Sequence, residues 1–184
     1  MINDYEARHD MTDENYATRD AGISNDDVIS TLNNLIETCK DGQAGFQQAA
    51  EGVQNSQLKS LFYEFGQQRA QFAGELQTLV RDLGGDPENS SSTAGALHRG
   101  WINIKSAITG QDDEAILNEC ERGEDAAKDA YKEALKMNLP ANVLSIVQEQ
   151  QTAVQSAHDQ VKALRNAAGT INDNSTTNTA GTRY

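Results

Sequence analysis

Four stretches of the chain carry apolar residues at every third or fourth position, which is the periodicity of one face of an α-helix. Both prolines, Pro87 and Pro140, lie between these stretches rather than inside them. Ser24 precedes the first stretch and Gly84 follows the second, as is typical of helix ends. The sequence therefore predicts an all-α protein with four long helices, each of which buries one apolar face.

The connections between the predicted helices decide their arrangement. The first and second helices, and likewise the third and fourth, are joined by a few residues, so each pair is expected to form an antiparallel hairpin. Residues 85–111 separate the hairpins and include GALHRGWINIKSAITG, whose apolar residues recur at helical spacing. A connection this long can cross the length of the bundle and contain a short helix. Two hairpins joined in this way make a ferritin-like four-helix bundle; a plain up-down-up-down bundle with a long loop is the alternative.

The two ends of the chain differ from this body in composition. Residues 1–23 and 168–184 are polar and lack helical periodicity. Such segments bury too little apolar surface to offset the entropy of ordering them. We therefore predict disordered tails on either side of a bundle that covers residues 24–167, with the crossover at 85–111.

The net charge of the chain limits its partners. The chain has 28 acidic and 15 basic residues and a formal charge of −13, so nucleic acids and anionic membranes would repel it. No apolar stretch is long enough to span a bilayer, and the N-terminus lacks the basic start and apolar run of a secretory signal. Two cysteines are too few for a disulfide framework. We therefore expect a cytoplasmic protein without nucleic-acid or membrane partners.

A weak internal repeat relates the two hairpins. Cys39-x-x-Gly42 in the first helix matches Cys120-x-x-Gly123 in the third, although two amphipathic hairpins can also resemble each other by chance. If the repeat is real, an approximate two-fold axis brings these two helices together, and each glycine meets the opposite cysteine. We therefore predict a packing seam in which both cysteines are small buried side chains. Its members are Cys39, Gly42, Cys120 and Gly123.

Charged residues on two apolar stripes mark the middle of the predicted bundle. Arg69 interrupts the stripe of the second helix, and Glu124 interrupts that of the third. Burying an unpaired charge costs several kcal/mol, so these two side chains are expected to pair. We predict a polar layer in which an arginine occupies the space where a ferritin relative would hold metal. Its members are Arg69, Glu121, Glu124, Gln43, Gln155 and His158.

The same region also allows a metal-binding interpretation. A ferritin-type di-iron site takes one Glu from each of two helices and a Glu-x-x-His pair from each of the others. At the corresponding depth this chain offers Arg69-x-x-Phe72 and Gln155-x-x-His158, so the ligand set is broken twice. The alternative to the arginine-filled layer is a variant iron or manganese site. Its ligands would be Glu37, Glu64, Glu121, Glu124 and His158.

The remaining candidates lie away from this level. His98, Arg99 and Trp101 form a cluster in the crossover. We expect the tryptophan to dock the crossover onto the bundle, and a small-ligand site beside it is an alternative. Three acids of the third helix fall away from its apolar stripe and are expected on a solvated face with nearby lysines. They are Glu119, Asp125 and Asp129.

Four motifs, in the order LIETCKDG, GALHRGW, ECERGED and AHDQVKALR, closely resemble a bacterial family of ferritin-like four-helix-bundle proteins known only as a domain of unknown function. The resemblance covers about residues 25–167. It implies the ferritin-like fold but supplies no activity, substrate or catalytic residue. Relatives of this general kind are often associated with bacterial stress responses, so the resemblance also implies a stress-associated role.

The functional expectation combines an intact bundle pattern with a broken ligand set. The sequence contains no nucleophile and base pair, phosphate-binding glycine loop or zinc-ligand spacing. This favours a non-enzymatic protein that acts through self-association, as a homo-oligomer, or through contacts with another protein. The alternatives are an iron or manganese oxidase or storage protein, and a binder of a small ligand between crossover and bundle.

Overall fold

The described part of the chain forms four long helices and one short one. The computed structural model describes residues 23–87, 101, 103–110 and 112–177, with the side chains of the last helix described up to residue 169. The helices are α1 (Asn25–Gly52), α2 (Ser56–Asp82), the short α3 (Ile104–Thr109), α4 (Asp113–Ala134) and α5 (Ala141–Thr177). The predicted all-α class is confirmed, and α3 lies within the predicted crossover.

Local signals set the helix ends. The Ser24 hydroxyl accepts a hydrogen bond from the backbone N–H of Asp27 and caps α1. The side chains of Asn55 and Asp112 cap α2 and α4 in the same way, since each satisfies a backbone donor that has no partner inside the helix. Gly84 has a φ of +80° directly after α2, a left-handed conformation that glycine adopts without steric cost.

The α1–α2 turn shows where the crossover takes the chain. The backbone N–H groups of Gln54 and Asn55, in this turn, donate to the Asp113 carboxylate at 2.8 and 3.2 Å. Because Asp113 is the first residue of α4, this helix begins at the end of the bundle where α2 begins. The connection from α2 to α4 therefore crosses the length of the bundle, as the ferritin-like arrangement requires and the up-down-up-down alternative does not.

The helices pack as two hairpins laid side by side. α1 packs against α2 and α4, while α5 packs against α4 and α2. Two hydrophobic clusters fill the interior, one at the end where α1 begins and the other at the end of the α1–α2 turn. On α2 the clusters are separated at Arg69 and on α4 at Glu124. These two residues therefore lie at mid-bundle.

Ordered contacts extend slightly past both predicted tail boundaries. The chain continues as helix to Thr177, beyond the predicted end of the bundle at residue 167. Ala168 packs against the second hydrophobic cluster, so the helix still contacts the core after residue 167. At the other end, Ile23 packs against the first cluster. The rest of the predicted tails, residues 1–22 and 178–184, lies outside the described residues.

Candidate functional site at the middle of the bundle

A buried ion pair links α2 to α4 at mid-bundle. Arg69 Nη2 donates to Glu124 Oε2 at 2.6 Å, and each side chain is 1% exposed. Arg69 Nη1 also donates to Gln68 Oε1 at 2.9 Å, and the guanidinium carbon lies 5.6 Å from the centre of the Phe72 ring. The pairing predicted from the two interrupted stripes is therefore present.

The ion pair is incompletely satisfied. Arg69 Nε and Glu124 Oε1 are buried and have no hydrogen-bond partner among the described residues. Burial raises the pKa of Glu124 because the low-dielectric interior disfavours the carboxylate, and the charge of Arg69 offsets this only in part. Pairs of this kind add little net stability, but removing one partner leaves an uncompensated charge.

Gly42 makes room for the arginine. A Cβ atom at this position would lie 3.3 Å from Arg69 Cγ and 3.4 Å from Arg69 Cδ. The glycine therefore lets the aliphatic stem of Arg69 pass close to the backbone of α1. The prediction that Gly42 meets Cys120 across a two-fold seam is wrong, because the nearest atoms belong to Arg69 within the same hairpin.

Trp101 fills the space between α1 and α4. A Cβ atom at Gly45 would lie 2.1 Å from the indole, and one at Gly123 would lie 2.3 Å from it. The ring also packs edge-on against Phe46, with a centroid separation of 5.1 Å. The atoms nearest to Gly123 therefore belong to the crossover tryptophan, where the predicted seam expected those of Cys39.

The crossover continues along the same groove. A Cβ atom at Gly52 would lie 2.4 Å from Ile108. Gly45 and Gly52 are about two helical turns apart on α1. The crossover residues that lie against them, Trp101 and Ile108, have the same separation in sequence. Docking of the crossover through Trp101 is thus as predicted. The indole itself occupies the space between Gly45 and Gly123, and a small-ligand site beside it stays a prediction. His98 and Arg99 lie outside the described residues.

A second buried polar network lies beside the ion pair. Tyr131 donates through its hydroxyl to Gln150 Oε1 at 2.8 Å and lies 3.2 Å from Cys39 Sγ. Gln150 Nε2 donates to Glu75 Oε2 at 2.8 Å. Sequence reasoning missed Tyr131 and Gln150, although a signal was available. Gln150 falls on the apolar stripe of α5, seven residues after Val143.

Both cysteines are buried free thiols, as expected. Burial raises the pKa of the Cys39 thiol to about 11. Burial likewise raises the pKa of Cys120 well above its ordinary value. Because the thiolate is the reactive form, both side chains serve as packing groups and not as nucleophiles at neutral pH.

Four residues of the predicted polar layer and of the predicted metal site are not fully buried. Gln43 and Gln155 are partly exposed, and Gln155 Nε2 donates to the surface carboxylate of Asp159 at 2.9 Å. Glu64 is exposed, and Glu37 pairs with Lys40 at 3.3 Å. The set of five carboxylate and histidine ligands proposed for iron or manganese is therefore not assembled. The fold's di-metal site does not fit the residues at mid-bundle, where the Arg69 guanidinium lies.

The other predicted members, Glu121 and His158, lie between α4 and α5. Their ligand atoms and those of Asp125 all lie within 4.8 Å of one another. His158 Nε2 is 3.0 Å from Asp125 Oδ1, and Glu121 Oε2 is 2.8 Å from Arg165 Nη1. Asp125 is exposed and lies 3.6 Å from Lys128, as the predicted solvated face requires, and it also belongs to this cluster.

Glu119, in contrast to Asp125 and Asp129, departs from the predicted solvated face. It is 8% exposed, pairs with Arg122, and accepts a hydrogen bond from the backbone N–H of Asn103 at 3.2 Å. Asn103 directly precedes α3. Glu119 therefore ties the crossover to α4, a role that its position off the apolar stripe did not reveal.

The sequence matches a known protein family over its first four helices. The model of the family described as Domain of unknown function (DUF2383) matches residues 27–137. The chain belongs to this DUF2383 family. The match spans α1 to the end of α4 and includes both partners of the ion pair. No curated protein matches the chain.

A solved structure supports the fold of this DUF2383 protein. A two-domain protein from Anabaena variabilis, containing DJ-1/ThiJ/PfpI-like and ferritin-like domains, superposes with a TM-score of 0.67 at 18% sequence identity. The alignment covers 80% of this chain and 41% of that protein. At this identity the similarity shows the ferritin-like fold alone. Among the described residues, no helix is both long and apolar enough to cross a membrane.

Proposed function

We propose that this chain is a non-enzymatic ferritin-like bundle protein that acts in the cytoplasm through protein contacts, either with copies of itself or with another protein. The observation that carries this proposal is the Arg69–Glu124 pair at mid-bundle. A permanently charged guanidinium at this level repels divalent cations, and it engages a carboxylate that a di-metal site would need as a ligand. Metal-dependent chemistry inside the bundle is therefore disfavoured, and the proposed function uses the outer surface of the bundle.

The domain organisation of the structural neighbour adds support. In the Anabaena variabilis protein, a ferritin-like domain shares one chain with a DJ-1/ThiJ/PfpI-like domain. A bundle of this fold can therefore belong to a larger assembly of domains. By analogy, we propose that the present bundle works beside a second polypeptide. The stress association rests on the family resemblance, and an increase in the abundance of the protein under osmotic or oxidative stress would support it.

Oxidation of Fe(II) in air tests whether chemistry takes place in the bundle. The purified chain, made without a metal-binding tag, should not accelerate the reaction. Catalysed oxidation that is lost in Glu124→Gln and retained in Asp129→Asn would overturn the proposal. It would instead favour the oxidase or storage alternative.

Sedimentation velocity over a wide concentration range tests self-association. A species heavier than the 20.0 kDa chain is expected if copies of the chain are the partner. A monomer at every concentration would exclude self-association and leave contacts with a different protein. A photo-cross-linking residue at Tyr63, an exposed aromatic side chain, would then be used in the host cell, and the absence of any cross-linked partner would contradict the remaining proposal.

A further inference from the structure

We propose that Glu121, Asp125 and His158 form a binding site for a single divalent transition-metal ion at the contact between α4 and α5. Their ligand atoms converge within 4.8 Å of one another. Zinc is bound by imidazole nitrogen and carboxylate oxygen at about 2.0–2.2 Å, so small side-chain rotations would bring the three atoms around one ion. Such a site uses neither Arg69 nor its carboxylate partner Glu124.

The helices position these ligands in a definite way. Glu121 and Asp125 are four residues apart and therefore lie on the same face of α4. His158 faces them from α5 and is 4% exposed. The side chain of Asp125, by contrast, is 56% exposed. The cluster thus combines a buried imidazole with a solvent-accessible carboxylate, through which an ion could enter.

A carboxylate outside the cluster orients the histidine. His158 Nδ1 lies 2.9 Å from Asp159 Oδ1, and this hydrogen bond lowers the pKa of Asp159. With Nδ1 engaged by Asp159, Nε2 faces Asp125 at 3.0 Å. Metal-binding histidines commonly make this contact, since a carboxylate on one ring nitrogen fixes the tautomer that presents the other to the metal.

Glu124 adds a buried oxygen beside the cluster. It lies on the same face of α4, three residues after Glu121, and is 1% exposed. Within the part of the chain that the structure describes, its Oε1 atom has no hydrogen-bond partner. His158 lies near enough for its charge to lower the pKa of Glu124. An unpaired buried carboxylate oxygen is costly, and a cation bound nearby would reduce that cost.

Two basic side chains compete for the cluster. Arg165 Nη1 lies 2.8 Å from Glu121 Oε2. Lys128 Nζ lies 3.3 Å from the ring nitrogens of His158 and 3.6 Å from Asp125 Oδ1. A metal ion must displace both contacts, so binding should be reversible and should strengthen when either cation is removed. One imidazole and two carboxylates suit zinc and manganese.

Isothermal titration of the full-length chain with Zn²⁺ and with Mn²⁺ tests the site. We expect one ion per chain, with affinity reduced more than about 10-fold in Asp125→Asn and in His158→Gln, and about 10-fold in Asp159→Asn. Asp129→Asn, which removes an exposed carboxylate of the same helix, is the matched control and should bind like the unaltered protein. Because Asp125 is exposed, its variant remains informative even if His158→Gln fails to fold.

A gain of affinity provides the sharper test. Lys128→Gln should bind Zn²⁺ more tightly, while Lys132→Gln, which removes the same charge from an exposed position on α4, should not. Absence of saturable binding, or equal affinity in Asp125→Asn, Lys128→Gln and the unaltered protein, would overturn the inference. Two ions per chain whose binding requires Glu124 would contradict both this site and the proposed absence of chemistry at mid-bundle.

Discussion

The two hairpins carry the same Cys-x-x-Gly pattern but use their glycines differently. Gly42 lies against the aliphatic stem of Arg69, and a Cβ atom at this glycine would be 3.3 Å from Arg69 Cγ. A Cβ atom at Gly123 would be only 2.3 Å from the Trp101 indole. The first contact is made within one hairpin and the second with the crossover. A repeated local motif therefore marks where a helix needs a small residue, but not which side chain uses the space.

The largest loss of stability is expected when Arg69, the side chain that lies against Gly42, is replaced. Arg69→Met should cost about 3–5 kcal/mol at pH 7, because it leaves the Glu124 carboxylate buried without its partner. Urea unfolding followed by circular dichroism measures this loss. Arg81→Met removes an exposed arginine of the same helix and should change stability by less than about 0.5 kcal/mol.

This loss should depend on pH with a definite sign. Burial already raises the pKa of Glu124, and Arg69 lowers it, so the variant raises it further. A carboxyl group with a folded-state pKa above its unfolded value contributes stability at low pH, and that contribution disappears as pH rises through the folded pKa. The deficit of Arg69→Met should therefore shrink between pH 7 and pH 5. An unchanged deficit would contradict the pairing.

On the Gly123 side, removing the indole should have the next largest effect. Trp101→Ala should cost about 3 kcal/mol, the lower end for deleting a large aromatic side chain, because the ring is partly buried. Tyr63→Ala, at an aromatic residue that is 40% exposed, is the control and should cost much less. Equal losses in thermal unfolding would mean that the crossover is not anchored by Trp101.

Adding a single methyl group at Gly123 should also lower the stability of the fold. Gly123→Ala should destabilise by about 1–3 kcal/mol, since the added Cβ overlaps a rigid ring. In the Trp101→Ala background the same change should cost much less, and a double-mutant cycle measures the difference. Gly74→Ala serves as a control, because no atom lies within 4 Å of its Cβ position. Additive effects of Gly123→Ala and Trp101→Ala would contradict the contact.

The smallest effect is expected at the other glycine. Gly42→Ala should change stability by no more than about 1 kcal/mol, because the gain in helix propensity offsets a small displacement of the flexible Arg69 stem. The unfolding measurements compare the loss of stability in Gly42→Ala with that in Gly123→Ala. A loss at Gly42 as large as that at Gly123 would show that the two environments are equivalent after all.

Much of the interior was predictable because periodicity and charge act locally. Arg69 and Glu124 each interrupt an apolar stripe, and the cost of burying an unpaired charge was enough to predict their contact. Gln150 carried the same kind of signal and was overlooked. Asp125 carried none, because a position off the stripe is compatible both with an isolated surface acid and with a cluster that faces a neighbouring helix.

The sequence left open whether the crossover runs the length of the bundle. It determined by itself the all-α class, the four long helices and the central ion pair. Each follows from a spacing along the chain or from a charge among apolar residues. Only the tertiary structure decided that Trp101 lies between Gly45 and Gly123 and that Asp125 meets His158. The rotation and depth of packed helices bring such residues together, and these depend on many side chains at once.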